Sequence, residues 1–172
     1  MSDHNPREPH RKAEFIVPPN TLKMKAGSGG LDEKIIEKAQ KMIDNSGVDF
    51  IPIGQRYLVA LNEGIRLTES RRRELDDEAL IATMLYPAMQ LKANGGMFKY
   101  PLVTTVAARL IRFLENIKEP NDDAMDIING FATSLQAIML MGEKHSEVAE
   151  HGNELTAALD EACDRYFERY TG

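Results

Sequence analysis

From Leu31 to Tyr170 the apolar residues return every three to four positions, and this period is the strongest constraint on what the chain can fold into. The clearest stretch opens at Tyr100-Pro101, with proline in the first turn, and carries Leu102, Val106, Leu110, Phe113 and Ile117 on one face. No alternating pattern of useful strand length interrupts the helical one. The expected fold class is all-α, and short connections favour an antiparallel up-and-down bundle.

Turn residues divide the pattern into six segments. Leu31–Asn45 places Leu31, Ile35, Ala39 and Met42 on one face and stops at Ser46-Gly47. A second segment, about Asp49 to Leu67, has Asp49 as its expected N-cap and a stripe of Phe50, Ile53, Tyr57, Leu61 and Ile65. Arg71-Arg72-Arg73, in a charged linker, then reads as a solvated loop or helix face. The third, about Asp76 to Asn94, sets Leu80, Met84, Ala88 and Leu91 on one face, with Pro87 expected to kink it and Gly95-Gly96 to break it. The fourth is the stretch from Tyr100. Asn121-Asp122-Asp123 is a strong start signal for the fifth, which carries Met125, Ile128, Phe131, Leu135 and Ile138 up to Gly142. The last, about Ser146 to Tyr170, carries Leu155, Leu159, Ala162 and Tyr166, with Gly152 weakening its start.

Residues 1–30 differ in kind. They hold Pro6, Pro9, Pro18, Pro19 and glycines 27, 29 and 30, with Phe15-Ile16-Val17 as the one compact apolar cluster. This composition reads as a flexible N-terminal tail followed by a helical domain over 31–172. The N-terminus MSDHNPREPHRK lacks the apolar stretch of a signal peptide, and no apolar run is expected to span a membrane. The expected compartment is the cytoplasm.

Charge narrows the partners. With 21 Lys+Arg against 27 Asp+Glu, the net charge is −6, which argues against general nucleic-acid binding. The charge is uneven. Residues 85–120 carry five basic and two acidic side chains, whereas 121–172 carry three basic and eleven acidic ones. The basic hairpin either steers an acidic partner or pairs with the acidic helices of its own bundle.

Few residues suggest catalysis. The histidines His4, His10, His145 and His151 lack helical metal-pair spacing, and the single Cys163 reads as a small core residue. Neither a phosphate-binding glycine loop nor a Gly-x-Ser-x-Gly elbow occurs. No metal or cofactor is expected. Met84, Met89, Met97, Met125, Met139 and Met141 fall near apolar stripes, either as core or as an adaptable binding surface.

Leu85-Tyr-Pro-Ala-Met-Gln-Leu-Lys-Ala-Asn-Gly-Gly-Met-Phe-Lys-Tyr100, with the amphipathic run after it, resembles the central hairpin of histidine phosphotransfer (HPt) domains. That family reads Ala-His-x-Leu-Lys-Gly, then small residues, a large apolar residue, a glycine and a Leu-rich helix. Ala88, Leu91 and Lys92 match its alanine, leucine and lysine; Asn94 and Gly95 match the small positions and Phe98 the large one. Val103, Val106, Ala107 and Leu110 follow at the expected spacing. Met89 stands where the phosphorylated histidine would be, Ala93 replaces the glycine after the lysine, and Lys99 the later glycine. The tail from Phe15 to Gly30 is similar to segments that follow receiver domains in bacterial response regulators.

The resemblance implies an HPt-like four-helix core with additional terminal helices. It further implies docking of a response-regulator receiver domain in two-component or chemotaxis signalling, without phosphotransfer. Ile81, Leu85, Met89 and Lys92 form the expected docking strip, with Phe98 and Lys99 at its end. Two other functions fit the residues. A receiver phosphatase would position water with an amide, from Gln90 and Asn94 or from the Asp126–Asn129 pair. A helical scaffold would self-associate, and the Met-rich strip could carry a homodimer.

Overall fold

The computed structural model describes residues 32–45, 47–141 and 146–170, the side chains of 146–150 apart. The described residues form six helices and no strand: α1 Glu33–Asp44, α2 Phe50–Arg71, α3 Asp77–Met97, α4 Pro101–Asn116, α5 Asp122–Met141 and α6 Ser146–Tyr170. The fold is all-α. Two compact units divide it, residues 1–40 and 41–172, with the boundary inside α1. The tail, Leu31, Ser46 and Gly142 lie outside the described residues.

Helices α2 to α5 form a closed ring within the second unit. Each packs against the next, and α5 returns to α2. Contacts fix the directions. A Cβ on Gly64 of α2 would lie 3.0 Å from the Thr83 carbonyl oxygen of α3, while Phe50 meets Phe98 at the other end, so the two helices run antiparallel. Antiparallel packing of α2 and α5 follows from Asn129 Nδ2, 3.1 Å from Glu69 Oε1, and from Arg72 on Asp122. The outer helix α6 lies on α4 and α5. It runs parallel to α4: Gly152 faces Leu102, Asp160 holds Arg109 and Tyr166 meets Phe113.

The start signals work as their chemistry requires. Asp49 accepts the Ile51 N–H at 3.1 Å, Asp76 that of Ala79 at 3.3 Å, and Asn121 that of Ala124 at 2.9 Å. Pro101 occupies the first turn of α4, where a missing N–H leaves no bond unmade. The apolar stripes then close the core. Leu61, Leu80, Met84, Leu91, Val106, Leu110, Ile128, Phe131 and Leu135 have no exposed surface.

Some expectations fail for physical reasons. Helix α2 extends to Arg71, past the expected Leu67, and Arg72, partly exposed, donates to the Pro120 carbonyl at 3.0 Å and pairs with Asp122. Helix α3 does not stop at Gly95-Gly96. Gly95 is buried, and a Cβ there would lie 2.9 Å from Thr104 Oγ1, so glycine serves the close approach of α3 to α4. Phe98, stacked near Phe50, ends the helix two residues later. Pro87 lies inside α3, as expected, and is buried there. Gly152 is buried too, and lets α6 approach Leu102. On α1, Ile35, Ile36 and Met42 are all more than half exposed among the described residues.

Helix α5 is long and apolar enough to cross a membrane by length and composition, which the sequence expectation missed. In the fold it is a core helix, with Met125, Ile128, Phe131, Leu135 and Ile138 buried.

Candidate functional site

The methionines divide into two groups. Met84, Met125 and Met139 fill the core, while Met89, Met97 and Met141 stay at the surface, 50%, 47% and 61% exposed. Met89 and Met97 share one face of α3. Ala82, Tyr86, Met89, Ala93 and Met97 follow at i, i+4, i+7, i+11 and i+15, and all five are exposed. Tyr86 is 63% exposed. No charged residue lies between Glu78 and Lys92. A surface helix normally turns a polar face outward, and one apolar all round is normally buried. Helix α3 is apolar on both faces, yet its outer face meets no other described helix. Contiguous exposed apolar surface of this kind marks binding sites.

The structure splits the docking strip expected from the sequence. Ile81 and Leu85 are half-buried and packed against the core, whereas Met89 and Lys92 are exposed. The outward face is therefore centred on Met89 but continues through Tyr86 and Met97 rather than through Ile81 and Leu85. The sequence held that signal in a second apolar stripe, on the side of the helix opposite Leu80, Met84, Ala88 and Leu91. Phe98 is half-buried against Phe50, its ring centroid 6.2 Å away. Lys99 follows in the left-handed region, φ 62°, with Nζ 2.6 Å from Asp44.

Two of the amide candidates are hydrogen-bonded to their own chain. Asn94 Nδ2 donates to the Gln90 carbonyl, one turn back on its own helix, at 2.8 Å. Asn129 Nδ2 reaches across to Glu69. Gln90 and Asn94 sit on α3, Asp126 and Asn129 on α5, and these helices face each other diagonally across the ring, so the two sets are not brought together. Asp126 is exposed on a shallow groove with Asp123, Arg165 and Arg169.

The basic hairpin is partly neutralised from within. Arg109 Nε donates to both oxygens of Asp160 on α6, at 2.8 and 2.9 Å. Lys92 makes no ion pair among the described residues and stays available beside Met89. Between α4 and α6 an open groove is lined by Thr105, Arg109, Arg112, Asp160, Cys163 and Asp164. Burial, with help from Asp160 and Asp164, pushes the Cys163 thiol up to about 11, so it is protonated and unreactive near neutral pH. Near the end of the bundle Tyr170 and Arg169 both donate to Asp123 and hold its carboxyl below the ordinary range.

Among the described residues no group of three or more His, Cys, Asp or Glu could hold a metal ion. His151 is exposed, Nδ1 3.5 Å from Glu154; the other histidines lie outside the described residues. No family model matches the chain, and no curated protein or solved structure matches it either.

Proposed function

We propose that the chain is a non-catalytic, HPt-like signalling adaptor of the cytoplasm that docks a response-regulator receiver domain on the outer face of α3. The observation that carries this reading is Met89. It stands half exposed on the second helix of a four-helix ring, where the resemblance places a phosphorylatable histidine. A thioether has no nitrogen to accept a phosphoryl group, so the surface offers contact without transfer. Methionine is unbranched and polarizable, and with Tyr86 and Met97 it gives an adaptable apolar patch. Lys92, three residues on from Met89, supplies a cation toward the acidic phosphorylation pocket of a receiver.

The bonding of the amides favours an adaptor over a phosphatase. Asn94 and Asn129 each give one Nδ2 hydrogen to their own chain, to the Gln90 carbonyl and to Glu69, which ties their orientation to the bundle and not to a docked receiver. A phosphatase needs such an amide directed at water beside the aspartyl phosphate.

The test is titration of isotope-labelled protein with receiver domains from the same organism, with and without beryllofluoride. The expected result is saturable binding that perturbs Tyr86, Met89 and Lys92, differs between the two receiver states, and disappears in Met89→Asp. A state difference is needed for signalling, because a ligand that binds both states equally shifts neither. Absence of binding to every receiver in both forms overturns the reading. Faster receiver dephosphorylation that is lost in Gln90→Ala or Asn129→Ala would replace it with the phosphatase.

A further inference from the structure

The outer face of α3 has a size order along its length. Small side chains stand at Ala82 and Ala93, large ones at Tyr86 and Met97, and Met89 lies midway. Turned end over end about a point between residues 89 and 90, this stripe meets itself large against small. Tyr86 then faces Ala93 of the second copy, and Met97 faces Ala82. The charges follow the same order. Asp76, Asp77 and Glu78 stand at the start of α3, while Lys92 and Lys99 stand toward its end. About that axis Glu78 of each copy comes within a turn of Lys99 of the other, whereas parallel pairing would set Glu78 against Glu78; Lys92 falls opposite Pro87. Lys99 also holds Asp44 of its own chain.

We propose that this face pairs with a second copy of the chain, two α3 helices packed antiparallel about a two-fold axis near Met89. Such an interface is self-complementary, each residue meeting its counterpart twice. Its size sets its strength. A helix of 21 residues is about 31 Å long, and a strip about 10 Å wide hides roughly 300 Å² on each copy. Stable interfaces bury roughly 800 Å² per partner, so this pair is reversible and concentration-dependent. Because Met89 is central to both contacts, a second copy and a receiver exclude one another. That exclusion, unlike the dimer itself, rests on the receiver-docking reading.

The test uses the full chain with no receiver present. Sedimentation across a wide concentration range should show a monomer passing reversibly to a dimer. Met89→Asp should keep the chain monomeric throughout, and Ala93→Glu, at a separate exposed position, should do the same. In a Cys163→Ser background, mild oxidation should join Tyr86→Cys chains to Ala93→Cys chains, and should not join Tyr86→Cys chains to one another. A monomer at every concentration overturns the proposal. So does a dimer indifferent to both charge substitutions, or cross-linking between the two Tyr86 positions. A dimer that behaves as expected in a protein that binds no receiver would leave this inference standing and remove the adaptor.

Discussion

Helices α3 and α4 are the two arms of one hairpin, yet they meet water differently. Helix α4 turns Val103, Val106, Leu110 and Phe113 into the ring, and its other side carries Arg109 and Arg112 toward α6. Helix α3 turns an equally apolar set inward and then repeats it outward. On α4, polarity tracks burial, as folding alone demands. On α3 it does not, and the excess is a row of apolar groups that contributes nothing to the single chain's core. That difference separates residues kept for the fold from residues available to a partner.

The sharpest way to break the comparison is to truncate one inward leucine on each arm. Leu91→Ala and Leu110→Ala should each cost about 2–5 kcal/mol, read from urea midpoints, because both are wholly buried. Next comes the seam between the arms. Gly95→Ala should cost about 1–3 kcal/mol, since the new methyl would stand 2.9 Å from Thr104 Oγ1. On the outer faces the arms should diverge in kind. Removing the Arg109–Asp160 pair with Arg109→Ala should cost at most about 1 kcal/mol and cost less in high salt. Met89→Ala should move stability by no more than about 0.5 kcal/mol, the range of a surface site, while still weakening association.

The smallest effect is on pH. The folded state raises the Cys163 thiol to about 11, so it favours the protonated form. Stability from this group is therefore complete below the ordinary thiol range and is lost as pH rises toward about 11. Labelling by a thiol reagent should be slow at neutral pH and accelerate across that window. Fast labelling at neutral pH would contradict the burial of Cys163.

Where polarity and burial coincide, the fold was legible. The inward stripes of α3, α4 and α5 and the caps at Asp49 and Asn121 follow from spacing and side-chain chemistry. The passage of α3 through Gly95 was not legible, because it depends on Thr104, a residue of the other arm. The same holds for Arg72, which reads as part of a solvated loop or helix face until Pro120 and Asp122 arrive beside it. The outward face was legible only in part. Met89 and Lys92 were found, but in a helix apolar on both sides periodicity cannot say which side faces out, and so Ile81 and Leu85 were grouped with them. Tyr86 and Met97 emerge only once the ring has claimed the other face.

Pro87 bears on how this face moves. Proline has no N–H, so the Thr83 carbonyl, four residues back, lacks its helical partner. Gly64 of α2 comes up against that oxygen, where a Cβ would lie only 3.0 Å away. The ladder of α3 thus has a missing rung just ahead of Met89, with Tyr86 on one side and Met89 on the other. Any molecule seated on both residues bridges the gap as a splint does. Its arrival should slow amide hydrogen exchange around residues 84–91 more than elsewhere in the ring, giving a record of docking that needs no knowledge of what has docked.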